Sequence, residues 1–171
     1  MEKKPLSPFQ AGLLIGIVLI IIGLVSYLAG LYTQQWIGYA TYLLLCIMVI
    51  IAVMSYVKSK DGYVTFGNAF LWGFKTTAVL TALYVVYLLI FIIVFPDFKA
   101  KMIEITREGM EKQNLPDDQI ETAMNMMDKA FYVFMFLGTI FFFLLLGVIG
   151  SLLGAAFAKK KPVTPFDQRT T

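Results

Sequence analysis

Charge is missing from this chain in long blocks, and those blocks predict its elements. No residue from position 5 to position 57 is charged. A helix needs ~20 apolar residues to cross the hydrocarbon core of a bilayer, so this block holds two crossings and a turn. Thr33-Gln34-Gln35 is its polar break, which divides it into spans at about 11–31 and 37–57. Two further charge-free runs cover Thr76 to Pro96 and Ala130 to Ala158, giving spans at about 74–95 and 130–158. Every amide inside a bilayer must find its partner within its own segment or a closed barrel. The alternation of barrel strands is absent, so the expected fold is all-α: a single domain, residues 1–171, packed as a transmembrane four-helix bundle.

Between the third and fourth spans lies a charged stretch, 97–129, with a different pattern. Phe98, Met102 and Ile105 fall at helical spacing, with Ile103 and Met110 nearby. Asn114-Leu115-Pro116 then interrupts. Pro116 suits a first helical position, and Asp117 and Asp118 complement the positive end of a helix dipole. Ile120, Ala123, Met124, Met127 and Phe131 resume at steps of three and four. The reading is an extramembrane helical hairpin whose second arm runs unbroken into the fourth span. Its apolar stripes are expected to face each other; a protein partner or the membrane surface is the alternative. Pro96, which lacks an amide hydrogen, should end or kink the third helix.

The third helix should begin well before its charge-free run. Asp61-Gly62 signals a turn, and Thr65 can cap a helix start. Phe66, Phe70 and Phe74 then recur every fourth residue. A helix from Phe66 to Phe95 would be ~45 Å long at 1.5 Å per residue, longer than the ~30 Å hydrocarbon core. Its first turns therefore belong to the interface, with the phenylalanines as aromatic anchors rather than a binding site.

Composition narrows the class. Of 171 residues, 59% are hydrophobic and 15% charged, with mean hydropathy +0.78; soluble domains carry roughly 25% charged residues. The net charge of +3 does not point to nucleic acid, because the basic residues border apolar runs. One side collects Lys3, Lys4, Lys58, Lys60, Lys159, Lys160, Lys161 and Arg169. The 97–129 stretch holds five basic residues against eight acidic ones. The positive-inside rule places both termini in the cytoplasm and the hairpin outside. Tyr32 and Trp36 mark the outer interface, and Tyr56, Tyr63 and Trp72 the inner one. The first span is too long for a signal-peptide core, and no A-x-A-like site follows it, so it is expected to stay.

Chemistry is sparse. There is no histidine, and Cys46 is the single cysteine, which leaves no disulfide framework and removes the commonest acid–base catalyst. None of the four spans contains Asp or Glu, so a proton-coupled relay lacks its buried ionisable group. Lys75 is the one charge near a span. It reads as a lysine snorkelling to the headgroups, with a lipid or anion contact as the functional alternative. Met124-Asn125-Met126-Met127 suggests thioether ligands for copper(I), but packing explains them better. Asp117, Asp118 and Glu121 lack the ligand spacing and glycine of a calcium loop. No catalytic residue, metal or cofactor is expected. Gly12 and Gly16 form a GxxxG in the first span; Gly147, Ser151 and Ala155, with Gly150 and Gly154, make small-residue steps in the fourth. These serve close helix packing, within the chain or in a homo-oligomer.

The stretch Val64-Thr65-Phe66-Gly67-Asn68-Ala69-Phe70-Leu71-Trp72-Gly73-Phe74 resembles the T-F-G-x-A-F-x-x-G-F entry to the third helix of one family. The Pro96-Asp97-Phe98 exit, the loop with Glu121-Thr122-Ala123-Met124, and the small-residue run from Gly147 to Ala158 before the lysines resemble it too. The family is domain of unknown function 4199, small four-helix membrane proteins common in Bacteroidota. The resemblance implies a bacterial inner-membrane protein with no known activity and no catalytic residues to transfer. The expected partners are the lipid bilayer, a protein at the hairpin and a second copy of the chain. The expected role is a non-catalytic accessory or interaction protein; the alternative is a subunit of an oligomeric small-solute transporter or channel.

Overall fold

The computed structural model describes residues 6–161, with the side chain of Gln35 left aside. Lys3, Lys4 and Arg169, which enter the orientation argument, lie outside these residues. Five α-helices appear in chain order and, among the described residues, no strand: α1 (Pro8–Leu28), α2 (Gln35–Ser59), α3 (Phe66–Val94), α4 (Phe98–Lys112) and α5 (Asp117–Phe157). Four of them, α1, α2, α3 and α5, are long and apolar enough to cross a membrane.

Local chemistry sets the helix ends. α1 starts three residues before its predicted position because Ser7 and Gln10 form a reciprocal capping box, with Pro8 in the first turn. It also stops earlier than the polar break implied. Gly30 adopts φ +70° and a short 3-10 turn, Leu31–Thr33, carries the chain to α2. Thr65 Oγ1 accepts the Asn68 amide at 3.2 Å and caps α3. α3 ends at Val94, just ahead of Pro96. Asn114, at φ 53°, closes α4 in the left-handed region. α5 opens one residue beyond Pro116, whose carbonyl accepts the amides of Gln119 and Ile120, and continues unbroken for 41 residues.

The chain divides into two compact units. One takes in the described residues through Tyr84 and those from Phe142 on; the other is Val85–Phe141. In the first, Leu19 from α1, Leu45, Val49 and Val53 from α2, Leu80 from α3 and Ala155 from α5 are fully buried. Around this core the outward faces are also apolar: Leu14, Ile21, Leu43 and Ile51 are all exposed. Helices apolar on every side suit lipid contact, whereas in water such a surface would drive aggregation. Trp72, expected at the inner interface, packs against other helices rather than facing outward. It is buried, and its ring stacks on Tyr56 with centroids 4.8 Å apart.

In the second unit, α4 is amphipathic and packs antiparallel to the first turns of α5. Lys99 bridges Asp128 at 2.9 Å, and the Phe98 ring meets Phe131 edge-on at 6.2 Å. Ile120, Met124 and Phe131 are buried while no α4 residue is. The two arms form a helical hairpin that closes only partly.

Candidate functional site

Small residues bring helices close throughout the first unit. A Cβ added at Gly12 would stand 2.7 Å from the Thr76 carbonyl oxygen and from Val79 Cβ, and one at Gly16 would stand 2.8 Å from Leu83. The GxxxG of α1 thus faces α3 of the same chain. On α5, a Cβ at Gly147 would collide with the Thr77 side chain, one at Gly150 would lie 3.2 Å from Val49, and one at Gly154 2.8 Å from Val53. Gly73 of α3 is equally tight, against Ser151 and Val53. In the sequence Gly73 reads only as part of the aromatic repeat, although Ala69, Gly73 and Thr77 fall at four-residue steps that could have marked it.

The hydroxyls in this seam turn inward upon their own helices. Thr76 and Thr77 donate to the carbonyls of Trp72 and Gly73, and Ser151 donates to that of Gly147 at 2.6 Å. Thr81 differs: its hydroxyl is buried and has no partner among the described residues. An unsatisfied buried hydroxyl carries a desolvation penalty of about 1–3 kcal/mol in proteins generally. Lys75 sits one residue before these threonines but on an exposed position of α3. No described carboxylate bridges it.

The second unit carries an open groove of about 500 Å³ in which Met102 and Met110 of α4 face Met126, Met127 and Met135 of α5, with Phe134 beside them. Met126, off the apolar stripe in the sequence, is exposed at this groove while Met124 is buried. The lining has no titratable side chain, so it can hold an apolar surface but offers no acid, base or nucleophile. Asp117, Asp118 and Glu121 are exposed, and no group of three potential metal-ligating His, Cys, Asp or Glu residues occurs among the described residues.

No curated protein and no solved structure matches the chain. The model of one family, described as a protein of unknown function (DUF4199), matches residues 10–160. That match takes in every described helix but the first two residues of α1, and the chain belongs to the DUF4199 family.

Proposed function

We propose that this protein is a non-catalytic accessory or interaction subunit of a bacterial inner membrane. Its termini face the cytoplasm and the hairpin of α4 and early α5 lies outside, where it engages a protein partner. The observation that carries this reading is the methionine groove. Thioether side chains are flexible and polarisable, and they adapt to apolar partner surfaces of varied shape. Met102, Met110, Met126 and Met127 lie on the hairpin, with Phe134 and Met135 following in the expected fourth span, and an open apolar patch of this kind marks interaction sites. Five methionines and phenylalanines also supply contact area without any group for chemistry.

The test is affinity purification of the full chain from native membranes in mild detergent, with mass spectrometry of what accompanies it. A stoichiometric companion that is lost when Met126→Lys is introduced supports the reading. A clean homo-oligomer with no companion counts against it.

A second reading, a subunit of an oligomeric small-solute transporter, is favoured by Thr81. A buried hydroxyl without a partner suits a place where a solute or water passes. Proteoliposome flux that falls in Thr81→Val would select this reading, and absence of flux for every solute class tested would remove it.

A further inference from the structure

Two distant stretches of the first unit meet beyond the end of α2. After α2, Asp61 (φ 52°) and Gly62 (φ 84°) reverse the chain. The Gly62 amide returns to the Val57 carbonyl at 3.0 Å, and the Gly62 carbonyl accepts the Lys161 amide at 2.9 Å. That second bond fastens the segment after α5 onto the turn. Gly62 is needed twice over: its φ lies in the left-handed region, and a Cβ there would sit 3.1 Å from the Lys159 carbonyl oxygen.

Between the two segments is a pocket of about 520 Å³ with an apolar floor of Met54, Val57 and Phe157. Its rim carries Lys58, Lys159, Lys160 and Lys161, with Asp61 as the acidic member of the lining. Two lysines are already engaged. Lys160 Nζ donates to the Ala155 carbonyl near the end of α5 and lies 5.2 Å from the Phe66 ring centroid. Lys161 Nζ stands 4.9 Å over the Tyr63 ring. Lys58 and Lys159 are exposed, and no carboxylate among the described residues bridges either of them.

We propose that this pocket binds an anionic phospholipid. The phosphodiester sits on Lys58 and Lys159, and an acyl chain lies along Met54 and Phe157, which are 40% and 67% exposed. The pairing of a basic rim with an apolar floor selects an amphiphile. A free phosphate would leave the apolar floor uncovered, and a neutral lipid would leave the excess lysine charge uncompensated. Basic pockets between membrane helices recognise acidic headgroups by this combination. Asp61 opposes the anion, but four ammonium groups outnumber it, and the engaged Lys160 and Lys161 hold the walls while Lys58 and Lys159 remain available to the ligand.

The experiment is native mass spectrometry of the full chain in mild detergent, titrated with phosphatidylglycerol or with phosphatidylcholine of the same acyl chains. The parent should retain phosphatidylglycerol in clear preference. Each lysine near an acidic headgroup contributes about fivefold in affinity, so Lys58→Gln with Lys159→Gln should weaken phosphatidylglycerol retention by roughly 30-fold. Each single variant should lose about fivefold, phosphatidylcholine retention should not change, and inorganic phosphate should not displace the lipid. Lys112→Gln, on the exposed surface of the other unit, should behave as the parent. Equal retention of the two lipids by the parent overturns the proposal without recourse to any variant. So does an unchanged preference in the double variant, displacement by phosphate alone, or an equal loss in Lys112→Gln.

Discussion

Glycine in this chain has two opposite roles, and the space beside each residue decides between them. At Gly147 the nearest atoms to an added Cβ belong to the Thr77 side chain, so even alanine must push α3 and α5 apart. Overpacking of this kind typically destabilises by about 1–3 kcal/mol. Gly147→Ala should therefore lower stability by that amount in detergent denaturation followed by circular dichroism. Thr77→Ala in the same chain should restore part of the loss, since it removes the colliding atoms. Gly109 in α4 is the contrast: nothing lies within 4 Å of its added Cβ. There the helix preference of alanine acts alone, and Gly109→Ala should stabilise α4 by about 1 kcal/mol. The Lys99–Asp128 pair promises much less. Asp128 is 62% exposed on its side chain, so Asp128→Asn should change stability by no more than ~1 kcal/mol, and less in high salt.

At the level of elements, the chain's pattern located helices better than it located their ends. The start of α3 at Phe66 was legible because Thr65 and the Phe66, Phe70, Phe74 repeat agree. The early start of α5, well ahead of the charge-free run, followed from Pro116 and the aspartates after it. The end of α1 was misplaced for a definable reason: Thr33-Gln34-Gln35 marks where the chain prefers water, whereas Gly30 marks where a helix can turn left-handed. The same asymmetry governs the end of α4 at Asn114. Its residue tolerates a positive φ, and Asn114→Val should destabilise the hairpin by roughly 1–2 kcal/mol because a branched side chain does not. Hydrogen exchange is the measurement, with faster exchange expected through Phe98–Lys112. Buried Met124 supplies a stronger version. Met124→Asp puts an unpaired carboxylate among apolar neighbours, and protection across α4 should collapse.

For the whole molecule, four helices of membrane-crossing length were legible from absent charge alone, and membership of the DUF4199 family from loose motifs. Which residues meet was not. Lys58 and Lys159 are 101 positions apart, and the packing of Gly150 and Gly154 on α2, with the bond from Lys161 to Gly62, brings their segments together. Likewise nothing in the order of residues says that the glycines of α1 face Thr76 and Val79 rather than a second copy. The proposed orientation has a direct test. In a chain with Cys46→Ser, Lys112→Cys should react with a membrane-impermeant thiol reagent in intact spheroplasts, and Lys60→Cys only after permeabilisation. The reverse pattern would invert the topology and move the hairpin inside.

The seam of Thr76, Thr77 and Ser151 has a consequence for how the protein is made. Each of these hydroxyls bonds to a carbonyl four residues back in its own helix. None needs a neighbouring helix to be satisfied, so α3 and α5 can each leave the translocation machinery and enter lipid alone without stranding these three polar groups. Thr81 is the exception. As far as these three hydroxyls are concerned, insertion of either helix does not require its assembly with the other.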